Sequence, residues 1–122
     1  MPIRALIVDD NQAFLEAARM LLEREGLTVA GLAATRAEAL SQAETLRPDV
    51  VLVDLMLGEE SGLELARRLV EDGGVGATVI LIPTRAEEEV ADLIAGSPAA
   101  AFLPKAELSA STIGAIVDGD SS

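Results

Sequence analysis

The chain has 122 residues, half of them hydrophobic, which suffices for one domain with its own core. Its formal net charge of −12 argues against binding to nucleic acid or to anionic membranes, both of which require a basic surface. Because the sequence contains neither Cys nor His, disulfides, thiolate or imidazole metal sites and Ser-His catalytic triads are excluded.

Apolar runs that predict strands alternate along the chain with segments that predict helices. The helices are indicated by apolar residues at spacings of three and four, by capping boxes of the type Thr35–Glu38, and by Gly26 and Pro48 as terminators. In chain order we predict a strand at 3–9, a helix at 11–25, a strand at 27–33, a helix at 35–46, a strand at 49–54, a loop at 55–61, a helix at 61–71, a Gly-rich turn at 72–76, a strand at 77–82, a helix at 84–95, a strand at 100–103 and a helix at 109–117.

This alternation predicts an α/β fold of the (βα)₅ type, in which right-handed crossovers produce a parallel sheet. The nearly continuous apolar character of the first and third strands is typical of strands that are covered on both faces. We expect one domain over residues 1–118 and a polar, frayed tail over 119–122.

Charged residues follow three of the predicted strands. Asp9 and Asp10 follow the first, Asp54 follows the third, and Lys105, the only lysine, follows the fifth. Parallel strands end at one edge of the sheet, which is where open α/β sheets bind ligands. Like charges about 4 Å apart repel by roughly 4 kcal/mol at an effective dielectric constant near 20. The sequence therefore predicts a cation among these carboxylates.

Each of these residues also has a simpler interpretation. Asp9 or Asp10 could cap the first helix, Asp54 could be a turn residue, and Lys105 could be an ordinary surface lysine. The chain has eight Arg and a single Lys, however, and that Lys stands at a predicted strand end on the same edge of the sheet as the carboxylates. Taken together, the four residues favour a functional site.

The ordered set resembles the receiver domain of two-component response regulators, the CheY-like superfamily. The same resemblance is carried by the segment Pro48–Leu55 and by Gly62, eight residues beyond Asp54, and it extends over essentially the whole chain. It implies a flavodoxin-like, doubly wound sheet of five parallel strands in the order 2-1-3-4-5. It also implies a signalling domain that promotes its own phosphorylation and dephosphorylation but is not an enzyme acting on independent substrates.

The resemblance further implies a role for each residue. Asp54 would be the phosphoacceptor, since a carboxylate can form an acyl phosphate. Mg²⁺ would be bound directly by Asp10, Asp54 and the backbone carbonyl of Met56, and through water by Asp9, a mixed shell that suits this ion. Lys105 would contact a phosphate oxygen as a compact point charge.

Two further positions give weaker signals, and one of them departs from the family's pattern. Pro83 stands where the family has Ser or Thr, and Pro offers neither a hydroxyl nor an N–H group. The neighbouring Thr84 is either a displaced switch hydroxyl or the N-cap of its helix with Glu87. Phe102, at the family's aromatic switch position, lacks the Tyr hydroxyl and is either a switch residue or a core residue.

The implied phosphodonor is a histidine kinase or a phosphotransfer protein. The implied output surface is the face formed by the helix at 84–95, the strand at 100–103 and the final helix, which could also support a homodimer. No direct nucleic-acid or membrane contact is expected, and the absence of an apolar span or signal peptide predicts a cytoplasmic location.

The alternative function, motivated by Pro83, is a pseudo-receiver that binds partners independently of phosphorylation. A phosphatase with an aspartyl nucleophile is disfavoured because Asp-x-Asp-x-Thr does not follow the first strand.

Overall fold

A computed structural model describes residues 3–54, 56–57, 60–71, 78–82, 101–103 and 108–119. The helices and strands in these ranges are β1 (Arg4–Val8), α1 (Gln12–Arg24), β2 (Thr28–Ala33), α2 (Arg36–Leu46), β3 (Val50–Val53), β4 (Met56–Leu57), β5 (Glu60–Ser61), α3 (Gly62–Glu71), β6 (Thr78–Leu81), β7 (Ala101–Phe102) and α4 (Ala110–Gly119). Among the described helices, none combines the length and the apolarity needed to traverse a lipid bilayer.

The main sheet is parallel and has the strand order β2-β1-β3-β6-β7. The α/β class and the predicted order of the first four strands, 2-1-3-4, are therefore confirmed. The last strand is described as two residues, Ala101 and Phe102, that pair with β6. The predicted helix at 84–95 lies outside the described residues, so the complete (βα)₅ repeat stays a prediction.

Alternate residues of the buried strands enter two separate hydrophobic clusters. Ile7, Leu52 and Ile80 pack with α1 and α4 in one cluster. Val8 and Val53 pack with α2 and α3 in the other. The sheet is thus covered on both faces, which explains why its central strands contain almost no polar residues.

The predicted helix boundaries agree with the caps. Thr35 Oγ1 accepts a hydrogen bond from Glu38 N at 3.1 Å, as the capping box predicts, although the Glu38 carboxylate accepts from Ala34 N rather than Thr35 N. Gly26 has φ = +96°, which fits its predicted place after the end of α1. Ser109 Oγ accepts from Thr112 N at 3.1 Å and so caps the last helix.

Two local predictions differ from the structure. The segment predicted as a loop over 55–61 contains an antiparallel pair in which Met56 pairs with Ser61 and Leu57 with Glu60. Two residues separate the paired strands in the sequence, the loop length most common in hairpins. The last helix continues to Gly119, two residues beyond its predicted end, because a single polar residue such as Asp118 does not end a helix.

Candidate functional site

The carboxyl edge of the sheet is held together by backbone hydrogen bonds that continue one residue past each strand. Asp9 N donates to Ala33 O at 3.0 Å, and Asp54 N donates to Val8 O at 3.0 Å. Farther along the edge the same arrangement joins Ile82 N to Val53 O at 2.9 Å and Leu103 N to Leu81 O at 2.7 Å. The backbones of Asp9 and Asp54 are therefore fixed on neighbouring strands before any side-chain interaction is considered.

Three carboxylates meet at this edge. One oxygen from each of Asp9, Asp10 and Asp54 lies within 4.8 Å of the others. Asp9 is fully buried, Asp54 is only 6% exposed, and Asp10 is exposed. The structure thus brings together the acidic residues that the strand-end argument selected, with one open side at Asp10.

Helix α1 begins beside this cluster and is capped by a different residue. Asn11 Oδ1 accepts from Phe14 N at 3.2 Å, so Asn11 is the N-cap. The alternative interpretation of Asp9 or Asp10 as the N-cap is therefore wrong. Asp9 Oδ1 instead accepts from Asn11 N at 2.8 Å, which orients the Asp9 carboxylate at the positive end of the α1 dipole.

The donor set fits a hard divalent cation. It consists of carboxylate oxygens only, the ligands that Mg²⁺ and Ca²⁺ prefer, and contains none of the nitrogen or sulfur ligands that favour Zn²⁺ or Cu²⁺. Two of the three carboxylates are buried, and buried charges require compensation. A cation between them would replace mutual repulsion by attraction, with the exposed Asp10 on the side from which the ion can enter.

Several predicted site residues lie outside the described residues. These are Lys105, Thr84 and Pro83, together with the side chain of Phe102, whose backbone lies in β7. The backbone is described up to Leu103, two residues before Lys105, and Leu103 is joined to the carboxyl edge through Leu81. The roles assigned to Lys105, Thr84 and Phe102 remain predictions.

Sequence reasoning missed two features next to the site. Asn11 was not identified as the cap, although Asn is among the preferred N-cap residues. The hairpin formed by β4 and β5 was assigned as loop, although Gly58 stands between the two strands and Gly is typical of tight turns.

Comparison with known proteins decides the family. Residues 5–117 match the family model of the response regulator receiver domain. The chain belongs to this family. It is 37% identical over 107 residues to the response regulator MprA of Mycobacterium sp. (strain KMS), and 36% identical to MprA of Mycobacterium tuberculosis (strain ATCC 25618 / H37Rv). Each match covers 86% of this receiver domain and 45% of the relative, so the chain spans less than half the length of these proteins.

Solved receiver domains have the same fold. A LuxR-family two-component response regulator from Aurantimonas sp. SI85-9A1 superposes with a TM-score of 0.85 at 28% identity, covering 98% of this chain and 87% of that one. The receiver domain of the putative response regulator NarL from M. tuberculosis gives 0.84 at 26% identity, with 97% and 98% covered. A response regulator from Burkholderia pseudomallei gives 0.79 at 28% identity, with 98% and 69% covered, and its structure contains a phosphorylated aspartic acid, a calcium ion and citrate.

Proposed function

We propose that this receiver domain is a cytoplasmic phosphorylation switch in which Asp54 accepts a phosphoryl group from a histidine kinase or a phosphotransfer protein. The observation that carries the proposal is the meeting of the Asp9, Asp10 and Asp54 carboxylates within 4.8 Å at the carboxyl edge of the sheet. The phosphorylated aspartic acid and the calcium ion in the B. pseudomallei relative support it by analogy.

The ion of the proposed switch would be Mg²⁺, which Asp10 and Asp54 would hold directly and Asp9 would hold through water. The hairpin supports a fourth ligand, the Met56 carbonyl. With a two-residue loop, Leu57 and Glu60 form the hydrogen-bonded closing pair, and pairs alternate along an antiparallel ladder. Met56 and Ser61 then form the non-hydrogen-bonded pair, so the Met56 carbonyl is not used inside the hairpin and is available two residues after Asp54.

The proposed reaction is a phosphoryl transfer to the Asp54 carboxylate. One Asp54 oxygen attacks phosphorus in line with the phosphorus–nitrogen bond of a donor phosphohistidine. That bond breaks, the imidazole keeps the electron pair, and Asp54 becomes an acyl phosphate. Lys105 pairs with a phosphoryl oxygen. When bound, Mg²⁺ neutralises the charge that accumulates between the phosphoryl group and the carboxylates.

The burial of Asp54 restricts the approach of the donor. Asp54 is only 6% exposed and its backbone is hydrogen-bonded to β1, which limits the directions from which its carboxylate can be reached. Binding a reactant in one orientation lowers the entropic part of the barrier. We propose that the domain supplies this orientation to its own modification and turns over no independent substrate.

The output of the proposed switch passes through Thr84 and Phe102. Thr84 would supply the hydroxyl that Pro83 cannot, and Phe102 would respond at β7, next to β6. The surface expected to change is the one formed by residues 84–95, β7 and α4. The partners would be the phosphodonor, a protein bound at this surface, or a second copy forming a homodimer.

The proposal is tested with Mg²⁺, a small phosphodonor such as acetyl phosphate, and intact-mass measurement. We expect the mass of one added phosphoryl group in the wild type, no addition when Mg²⁺ is chelated, and no addition in Asp54→Ala. Labelling that persists in Asp54→Ala would contradict the assignment of the phosphoacceptor.

A second candidate function is the pseudo-receiver, favoured by Pro83 at the position of the family's hydroxyl. It predicts that a partner captured by the wild type binds Asp54→Asn with unchanged affinity, whether or not Mg²⁺ is present. Phosphorylation that changes partner affinity at least several-fold would exclude it.

A further inference from the structure

Strand β2 is the terminal strand of the described sheet, and its outer edge lacks the usual protection. The six residues Thr28–Ala33 include neither a charged residue nor a proline. Natural proteins commonly place such residues on exposed edges, because unpaired backbone groups there can pair with a strand from another molecule. Such an edge can pair with another strand unless a different feature of the chain occupies its backbone groups.

One carbonyl of this edge is occupied by a helix side chain. Ala33 O points towards β1, since it accepts from Asp9 N at 3.0 Å. Successive carbonyls of a strand point to opposite sides, so Leu32 O points away from β1, towards the outer edge. Gln42 Nε2, from α2, donates to Leu32 O at 2.8 Å. An added strand would need this same acceptor.

Gly31 allows the Gln42 side chain to take this position. A Cβ atom at residue 31 would lie 2.3 Å from Gln42 Oε1 and 2.8 Å from Leu46 Cδ1. Any larger residue there would force the Gln42 or Leu46 side chain to shift. The same stretch carries a register shift, because Ala5 pairs with Val29 while Leu6 pairs with Gly31. Such irregularities increase local twist and weaken edge-to-edge pairing.

We infer that Gln42 closes the outer edge of β2 to strand addition by a second copy of this chain. The occupant is a second copy because every molecule carries the same uncharged strand, and main-chain hydrogen bonds across a two-fold axis require no other partner. The inference concerns the opposite end of the strand order from β7 and does not depend on phosphorylation.

The test is Gln42→Met, which keeps the side-chain length and the helix propensity but removes the amide donor. Circular dichroism establishes folding, and light scattering after size exclusion measures the oligomeric state over a range of concentrations. We expect a several-fold larger oligomeric fraction than in the wild type. Ser41→Ala, at an exposed neighbouring position of α2, is the matched control and should behave as the wild type.

A second substitution separates edge closure from a merely structural role. Thr28→Lys places a charge on the exposed start of β2 and should return Gln42→Met to the wild-type oligomeric state. A folded Gln42→Met that associates no more than the wild type would overturn the inference, as would association that persists in the double variant. If Gln42→Met does not fold, Gln42→Asn, whose amide cannot reach Leu32, carries the same expectations.

Discussion

Aspartates lie at both ends of the strands β1 and β3, but in different surroundings. At the amino end, the Asp49 carboxylate accepts from Arg4 N at 2.9 Å, and the Arg4 guanidinium donates to Leu46 O at 2.7 Å. At the carboxyl end, Asp9 and Asp54 lie within 4.8 Å of a third carboxylate. The amino end satisfies its aspartate within the fold, whereas the carboxyl end concentrates negative charge that a bound cation would stabilise.

The difference has a clear geometric origin. Arg4 joins three elements. Its backbone belongs to β1, its guanidinium donates to the carbonyls of the last residue and the C-cap of α2, and its amide donates to the residue before β3. The carboxyl end faces the start of α1, whose dipole favours negative charge. We therefore expect substitutions at the amino end to change stability and those at the carboxyl end to change chemistry.

The largest expected effect separates Asp54 from Asp49, which stand just after and just before β3. Asp54→Asn should abolish Mg²⁺-dependent phosphorylation, because an amide is not a nucleophile towards phosphorus. Asp49→Asn keeps an oxygen that can accept from Arg4 N, so it should be phosphorylated as the wild type is. Intact mass after incubation with acetyl phosphate measures both. If Asp49→Asn had wild-type circular dichroism but was not labelled, the assignment of the chemistry to the carboxyl end of the strands alone would be contradicted.

The next effect is stabilisation by the cation. Binding to the native state alone adds about 2.7 kcal/mol to the free energy of unfolding at a ligand concentration 100 times the Kd. We expect Mg²⁺ to raise the Tm of the wild type and of Asp49→Asn, and to have little effect on Asp10→Asn, which removes a proposed direct ligand. Thermal unfolding with Mg²⁺ and with chelator gives the result. An equal Mg²⁺ response in Asp10→Asn would argue against Asp10 as a ligand.

A smaller effect is expected at Arg4. Arg4→Met keeps the aliphatic stem but removes the guanidinium hydrogen bonds to Leu46 O and Arg47 O, and hydrogen bonds to charged groups contribute about 1.5–3 kcal/mol. Urea unfolding should show a loss in the free energy of unfolding of about 2 kcal/mol. The increase in Tm caused by Mg²⁺ should persist, since Arg4 lies at the opposite end of the strands. A reduced Mg²⁺ response would show that the two ends are coupled.

The smallest expected effect is the loss of repulsion among the three carboxylates when Asp54 is replaced in the metal-free protein. Asp54→Asn removes one of three neighbouring negative charges. Because the cluster is open to solvent at Asp10, we take the repulsion of charges about 4 Å apart in water and expect the metal-free protein to gain about 1 kcal/mol in the free energy of unfolding. The gain should decrease in high salt, because one carboxylate of the cluster is exposed to solvent. Urea unfolding at two ionic strengths measures it. A destabilised Asp54→Asn would show that this carboxylate contributes more through its hydrogen bonding than it costs through repulsion.

The sequence predicted best those features that depend on residues close to one another in the chain. The sequence predicted the apolar strands that end in aspartate. Thr35 and Glu38 predicted the start of α2, because capping involves residues within four positions of one another. The sequence could not predict which of Asp9, Asp10 and Asn11 caps α1, because Asp and Asn are both good N-caps. Only the path of the backbone selects Asn11.

Contacts between elements were less predictable. The hydrogen bond from Gln42 to Leu32 depends on how α2 docks against β2, and neither residue type indicates it. The pairing of Met56 with Ser61 depends on a register that the short segment after Asp54 does not specify by alternation.

By itself the sequence determined the α/β class, the alternation of elements, the membership of the acidic cluster and the receiver family, because hydrophobic periodicity and strand-end charges are local properties of the chain. Only the tertiary structure decided which aspartates are buried, which residue caps α1 and which side chain donates to Leu32 O at the outer edge of β2. Those outcomes depend on the docking of helices against the sheet, where distances of a few ångströms between residues far apart in sequence select one arrangement among several that local preference permits.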